Sequence, residues 1–376
     1  MFLALRELTF ARGRFALMGS VVALIAVLMV LLSGLSVGLV NDGVSGLKKL
    51  DVTSLAFQKD VATDAAFSRS LIDPEVAGTW RDQPGVQDAA PFGNTLANAR
   101  TDRGVDIDLA LFGVEPDSWL APQATNGAKL ADSDSLLLSE TARDAGVRVG
   151  DTVTVAQLGT QLRVAGFLEG QHTFGHVEVA YVSLPTWQEI RAGVRPGEEV
   201  GAHVYDQVTA VAVRAAPGAD VDLAAGDAAA GTTSLTLKQS FGASPGFSAE
   251  TSTLDLIQAF LYAISALVVG AFFTVVTIQR RQEIAVLRAM GASTGSLLRD
   301  SLAQSLVLLL VSSGVGVGLG VAMGAAISGS PMPFHLDPAP IGIATAALVL
   351  LGMLGAVVAV LRITRVDPLT ALGAHR

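Results

Sequence analysis

Two histidines stand four residues apart in the segment QHTFGH, at His172 and His176. On a helix this spacing would place both imidazoles on one face, where they could bind a metal ion. Gly170 precedes the pair, Gly175 lies between the two histidines, and alternating apolar residues follow, so the segment is predicted to be a hairpin or loop. A solvated loop is therefore favoured over a metal site.

The sequence lacks a motif for nucleotide binding. It contains no G-x-x-x-x-G-K-[ST] loop to hold phosphates, and spacing assembles no Ser/His/Asp set for acyl chemistry. A glycine run at 314–320 lies inside an apolar segment. Gly316, Gly320 and Gly324 recur every four residues, which favours close helix packing over nucleotide binding. No enzyme active site is predicted.

Segment 279–300, QRRQEIAVLRAMGASTGSLLRD, is amphipathic. Ile284, Leu287 and Met290 recur at helical spacing opposite the arginines, and Gly291 divides the segment into two helices. Two interpretations stay open. One is an interfacial helix on anionic lipid. The other is a docking helix that inserts into a partner protein, with Glu283 and Arg288 free for ion pairs.

Four stretches lack acidic and basic residues over more than the about 20 residues that a membrane-spanning helix needs. The first is too long for the apolar region of a cleaved signal peptide, so a retained anchor is predicted. Pro331 and Pro333 should end the third helix near Ser328 to Ser330. The chain therefore has four predicted spans, within 15–41, 256–279, 301–336 and 338–361.

Charge is distributed unevenly along the chain, which carries a formal net charge of −9. Basic residues concentrate in 1–16, 280–300 and 362–376, whereas 41–254 holds 15 Lys and Arg against 28 Asp and Glu. The positive-inside rule then places both termini in the cytoplasm of a multi-pass plasma-membrane protein and the acidic segment outside. No nucleic-acid partner is expected.

The acidic segment is predicted to be an α+β domain. Period-two apolar residues predict strands in 151–156, 161–167, 177–182 and 208–213, whereas the first half reads as a mixed subdomain. Val44–Leu50 and Ser248–Asp255 should continue the first and second helices as a stalk. The predicted fold class is an integral membrane protein with four transmembrane α-helices, one plus three, and a large extracytoplasmic α+β domain between the first and second.

The predicted organisation follows from these elements. It comprises a cytoplasmic amphipathic helix (1–15), the first span (16–40), the extracytoplasmic domain with its stalk (41–254), the second span (256–279), a cytoplasmic coupling loop (280–300), the third span (301–329), an outer turn (330–338), the fourth span (339–361) and a cytoplasmic tail (362–376).

The loop QRRQEIAVLRAMGAS, the tail RVDPLTALG and the one-plus-three arrangement resemble permeases of the MacB/FtsX superfamily of ABC transporters. The segments FLALRELTFARGRF, LLSGLSVGL, AFFTVVTIQ and PMPFHL are most similar to Hrt-type heme exporter permeases, relatives of DevC-like permeases. The resemblance implies a homodimer on a separate ATPase dimer, which moves the outer domain by mechanotransmission. It also implies that Glu283, Arg288 and Gly291 couple to the ATPase, and that Asp367 and Pro368 form the tail motif.

If heme is the substrate, as the resemblance implies, iron needs an axial ligand such as His, Cys, Met or Tyr. No His or Cys lies within a predicted span. Met29 and Tyr262 remain, with Glu250 at the outer end of the second helix. The alternative, that Met29 fills packing space and Glu250 is a solvated charge, stays open. The candidate heme-binding residues are Met29, Ser33, Glu250, Gln258 and Tyr262.

The leading hypothesis is a permease subunit that removes heme from the outer leaflet, with heme as transported ligand and no intrinsic cofactor. ATP would bind the partner ATPase, so the permease itself would not be catalytic. Two alternatives remain: an FtsX-like regulatory membrane protein, and an exporter of lipid, lipoprotein or peptide from the same superfamily.

Overall fold

The structure is a computed structural model that describes residues 12–127, 129–130, 134–279, 294–328, 330 and 332–364. The chain divides into two compact units. We call Met1–Gly38 with Ser252–Arg376 the helical unit, and Leu39–Thr251 the inserted domain.

Four long helices are each apolar enough over a sufficient length to cross a membrane, as predicted. The third ends at Ile327, just before the predicted stop, and the fourth begins at Pro338, where a proline without an amide hydrogen is tolerated. These helices are α1 (Arg12–Lys48), α8 (Phe247–Gln279), α9 (Thr294–Ile327) and α10 (Pro338–Thr364).

Three glycines on α9 have the packing role that their spacing predicted. A Cβ on Gly316 would overlap the carbonyl of Ala23, and one on Gly320 would lie 2.8 Å from the Val30 Cβ. A Cβ on Gly324 would lie 2.9 Å from the ring of Phe334. The glycine stripe therefore lets α1 and the turn before α10 approach α9 closely, as small residues do in membrane helix pairs.

The inserted domain is built on an eleven-stranded mixed sheet, in the order β11-β1-β10-β2-β3-β9-β5-β7-β4. Strand β6 pairs with β2 and β7, and β8 pairs with β9. Among the strands of the described residues, β3 with β9 and β5 with β7 pair in parallel, and the other pairs are antiparallel. The strands are β1 (Ser54–Gln58), β2 (Val86–Thr101), β3 (Asp106–Val114), β4 (Asn126–Gly127), β5 (Ser135–Ser139), β6 (Thr152–Val155), β7 (Gln161–Leu168), β8 (Thr173–Phe174), β9 (Val177–Ser183), β10 (Ala210–Ala215) and β11 (Thr232–Thr236).

Short helices cover the sheet and complete its core. Ser183 caps α5, because its hydroxyl accepts from the Thr186 amide, and the helix places Trp187 over Gly93 and Gly113, where a Cβ would have no room. A second core is an edge-to-face aromatic cluster around Phe112. The short helices are α2 (Ala66–Arg69), α3 (Val76–Arg81), α4 (Thr141–Asp144), α5 (Leu184–Ala192), α6 (Leu223–Ala230) and α7 (Leu237–Ser240).

The first half of the inserted domain differs from the prediction of a mixed subdomain. Its longest strand, β2, pairs with β10, β3 and β6, so both halves share one sheet. A central strand is buried on both faces, and β2 accordingly has six consecutive buried residues, from Ala89 to Asn94. This removes the alternation by which strands are recognised. The four strands predicted in the second half are confirmed.

The stalk prediction is confirmed at both helices, with a difference in α1. This helix extends to Lys48, but Val44 has φ −146° and ψ 16°, so the helix is kinked there. Val44 and Leu47 are fully buried in the core of the inserted domain. The end of α1 is thus part of the domain's own packing.

Candidate functional site

Met29 and Tyr262 meet in one cluster of the helical unit. Met29 is 1% exposed and packs with Ile25, Ala26 and Leu348, and Tyr262 lies against this cluster. The structure therefore brings together the two residues of the spans that the sequence offers as iron ligands. Because Met29 is enclosed, a ligand that reaches its sulfur must displace one of these neighbours.

Two further candidate residues lie on the same helices. Ser33 is buried, one turn beyond Met29 on α1, and Gln258 is half-buried, one turn before Tyr262 on α8. Next to Ser33, Gly34 packs against the ring of Phe334, and the Gly34 carbonyl accepts from the His335 amide over 3.0 Å. The turn between α9 and α10 is thereby bound to α1 beside the candidate residues.

Glu250 lies in the inserted domain and is not a free charge. Both of its carboxylate oxygens lie 3.1 Å from His176 Nε2. On the other side of the ring, His176 Nδ1 lies 2.8 Å from an Asp42 oxygen. The second Asp42 oxygen accepts from the Gln171 amide over 2.9 Å. The two carboxylates thus face one imidazole, and together they raise the pKa of His176 despite its partial burial, which acts to lower it.

His176 owes its position to a tight hairpin between β8 and β9, which confirms the hairpin prediction for QHTFGH. Phe174 pairs with Val177, and the two residues between them both have positive φ, 58° at Gly175 and 66° at His176. This is the backbone of a two-residue type I′ turn. His172 is buried, which differs from the predicted solvated loop, and burial lowers its pKa to about 4. Among the described residues, no group of three His, Asp or Glu side chains could hold a metal ion.

The predicted coupling residues Glu283, Arg288 and Gly291, and the tail residues Asp367 and Pro368, lie outside the described residues. The amphipathic helices predicted for 1–15 and 280–300 lie largely outside them as well. Their assignment stays a prediction.

The sequence does not predict the roles of two site residues, Asp42 and His176. Asp42 is one acid among many in the sequence, and His176 is predicted only to lie in a hairpin or loop. Their signal in the sequence is weak: a histidine next to a glycine in a turn, and an acid that directly follows an apolar stretch. Only the pairing of β8 with β9 and the path of α1 bring them together.

Four apolar helices with an α+β domain inserted after the first define a membrane protein of the one-plus-three type. The family model of the MacB-like periplasmic core domain matches residues 15–230, and that of the FtsX-like permease C-terminal region matches residues 256–368. The chain belongs to this MacB/FtsX family of ABC transporter permeases.

Relatives extend the similarity over the whole chain. The hemin transport system permease protein HrtB of Staphylococcus epidermidis is 22% identical over 99% of both chains. HrtB of Staphylococcus haemolyticus is 20% identical, and an uncharacterised ABC transporter permease of Mycobacterium tuberculosis is 21% identical, again over 99% of both chains. Among solved structures, the periplasmic region of MacB from Actinobacillus actinomycetemcomitans is 14% identical and matches 51% of this chain and 92% of its own, with a TM-score of 0.37.

Proposed function

We propose that this protein is the permease subunit of an ATP-driven exporter that takes heme from the outer leaflet of the plasma membrane. ATP is hydrolysed on a separate ATPase chain, and the movement reaches the inserted domain by mechanotransmission. The observation that carries the proposal is the meeting of Met29 and Tyr262 in one cluster of the helical unit. Full-length similarity to permeases named for hemin transport supports the choice of cargo.

The chemistry of heme suits the candidate residues. Its ring is apolar and partitions into lipid, whereas its iron accepts a thioether, phenolate or carboxylate ligand. Met29 and Tyr262 supply the first two within candidate spans, and Glu250 supplies the third at the start of α8. Ser33 and Gln258 add hydrogen-bonding groups one turn away on the same helices.

The test uses the purified full-length permease in lipid nanodiscs, titrated with hemin. We expect a Soret band, and we expect it to shift and weaken in Met29→Ala and in Glu250→Ala. Met323→Ala is a matched control, because Met323 is half-exposed on α9 and belongs to no candidate group. Cells that co-express the permease with its ATPase should tolerate more hemin than cells that express either alone.

Other outcomes separate the alternatives. A copurified lipid or peptide that stimulates ATPase activity, with no Soret band, would replace heme by that cargo. Stimulation by a protein bound to the inserted domain, without any small ligand, would favour an FtsX-like regulatory role. No stimulation by hemin and no hemin resistance would contradict the heme proposal.

We propose in addition that the permease works as a homodimer in which α8 faces the second copy. The candidate span of α8 is 12% buried within the chain, against 44% for that of α1. Phe260 and Leu267 are 60% and 73% exposed on it. Since the chain has no cysteine, a single Phe260→Cys should cross-link two copies in nanodiscs. Leu310→Cys, exposed on α9, is the control that should stay monomeric.

Orientation is the last part of the proposal. Both termini are cytoplasmic, and the acidic inserted domain lies outside the cell, as the distribution of Lys and Arg supports. A single Asp64→Cys in the exposed start of the inserted domain should react with a membrane-impermeant maleimide on intact cells. A cysteine introduced at Arg376 should react only after the cells are broken.

A further inference from the structure

His176 lies between the ends of two long helices. Asp42 belongs to the last turns of α1, and Glu250 to the first turn of α8. Each binds a different nitrogen of the same imidazole, Asp42 at 2.8 Å and Glu250 at 3.1 Å. All three residues are members of the inserted domain. The ring is thus a direct connection between the two helix ends.

Both hydrogen bonds form together only if both ring nitrogens donate, because ionised carboxylates can only accept. The imidazolium is therefore the form of His176 that fits the geometry. Its side chain is 30% exposed, and those of Asp42 and Glu250 are 25% and 39% exposed. The nearby cations are otherwise engaged, since Lys48 donates to the Asn41 side chain and Lys49 to the Glu169 carbonyl.

The hairpin that carries His176 is attached to α1 by several hydrogen bonds and to α8 through His176 itself. Near the kink at Val44, the Gly43 carbonyl accepts from the Gly175 amide over 2.9 Å. It also accepts from the hydroxyl of Ser244, three residues before α8, over 3.1 Å. Ser45 and Thr173 exchange two further bonds of 2.8 and 2.9 Å. The contact of His176 with Glu250 joins this hairpin to α8.

The position of His176 carries backbone strain that a glycine would avoid. Its φ of 66° lies in the left-handed region, which non-glycine residues seldom occupy. At a two-residue turn of this type, asparagine or glycine would be the ordinary choice. The imidazole, which reaches both carboxylates, is a reason for histidine to stand there in spite of the strain.

We infer that Asp42, His176 and Glu250 form a latch between the ends of α1 and α8, and that His176 is a positioning residue that holds the Glu250 carboxylate away from heme iron. The second part rests on the proposed function. Both oxygens of Glu250 lie within hydrogen-bond distance of one imidazolium nitrogen, so iron competes with His176 for this carboxylate. Heme that binds Glu250 would thereby release the end of α8 from the hairpin, which stays on α1.

The experiment measures the latch and heme binding separately, in the full-length permease in nanodiscs. Lys48→Cys and Ala249→Cys, exposed near the two helix ends, carry spin labels for a distance measurement, and unlabelled chain in excess removes distances between copies. His176→Asn breaks the latch but tolerates the left-handed backbone, so the hairpin should still fold. His203→Asn, an exposed histidine of the same domain, is the matched control.

With the latch present, we expect a narrow distance distribution without hemin and a broader one with hemin. His176→Asn should broaden it at least two-fold without hemin and lower the Kd for hemin at least three-fold, because Glu250 is set free. A merely structural His176 would instead leave hemin affinity equal or weaker. His203→Asn should change neither quantity.

The outcomes distinguish the two parts of the inference. An unchanged distance distribution in His176→Asn overturns the latch. Broadening with an unchanged or raised Kd supports the latch and overturns competition with iron. If the original chain binds no hemin, the proposed function and the competition fail together, whereas the distance distributions without hemin still decide the latch.

Discussion

The inserted domain and the helical unit both contain many apolar residues, but they differ in how far these side chains are buried. In the inserted domain the largest side chains, such as Trp80 and Trp187, are fully buried. In the helical unit, Leu17, Leu267 and Ile343 are 70% or more exposed. Water penalises exposed apolar surface, whereas lipid tails do not, so only the inserted domain is forced to close a core.

Glycine shows the same contrast. The glycines with positive φ all lie in the inserted domain, among the described residues, and they make turns such as Gly146 and Gly193. On the long helices glycine instead makes room, as Gly316 does for Ala23. Glycine therefore allows turns with positive φ in the inserted domain and close helix packing in the helical unit.

Polar side chains complete the comparison. In the helical unit, Ser313 and Thr345 donate to carbonyls four residues earlier, at 2.6 and 2.8 Å. In the inserted domain, Thr209 bonds to the backbone of Asn94, 115 residues away. A lipid-facing helix must satisfy its polar groups locally, whereas a sheet can satisfy them between distant strands.

The largest expected effect is in the core of the inserted domain. Trp187→Ala should lower the free energy of unfolding by about 3–5 kcal/mol, because it removes a fully buried indole that packs on two glycines. Thermal unfolding of the full-length protein, followed by circular dichroism, measures the change. Leu96→Ala, half-exposed on β2, should change the value by less than about 0.5 kcal/mol. Equal effects would contradict the description of this core.

The next largest effect is a pH dependence of the stability of the inserted domain. His172 has a pKa of about 4 in the folded chain and 6.5 as its ordinary value. Between these values the unfolded chain binds a proton that the folded chain does not, so stability falls as pH falls from 6.5 to 4, by about 3 kcal/mol in total. Unfolding midpoints across this range measure it.

The contribution of His172 is read as a difference between variants, because carboxyl groups titrate in the same range. His172→Gln should have a smaller loss of stability on acidification than the original chain. His203→Gln, whose side chain is exposed, should keep the full loss. Parallel pH curves for all three chains would show that His172 is not the group responsible.

In the helical unit, two glycines of α9 allow a matched comparison, one within the glycine stripe and one outside it. Gly316→Ala should destabilise the unit by about 1–3 kcal/mol, because its methyl group meets the backbone of α1. Gly318→Ala, two residues along, meets nothing within 4 Å and should be neutral or slightly stabilising. Thermal unfolding in nanodiscs compares the two. A larger effect at Gly318 would place the packing face of α9 on its other side.

The smallest expected effect is at the apolar surface of the helical unit. Leu267→Ala should change thermal stability by less than about 0.5 kcal/mol, since this side chain is 73% exposed within the chain. Leu309→Ala, fully buried on α9, should have a clearly larger effect. If Leu267→Ala instead weakened cross-linking through Phe260→Cys, its face of α8 would belong to the contact between copies.

The extent to which the sequence predicts the site depends on how far apart in the chain the contacting residues stand. Met29 and Tyr262 are predicted because few iron ligands occur in the spans, and the structure places them in one cluster. Glu250 was predicted as a ligand or a solvated charge, but it is bound to a histidine 74 residues away. Asp42 and His176 stand 134 residues apart and have no shared pattern.

The sequence by itself determined the four helices, the place of the inserted domain and the glycine stripe. These follow from bilayer thickness and helical periodicity, which act on neighbouring residues and can be read along the chain. The tertiary structure alone decided that both halves of the inserted domain share one sheet, and that His176 joins Asp42 to Glu250. Strand pairing and hydrogen bonds between distant residues depend on the path of the whole chain, so no local pattern records them.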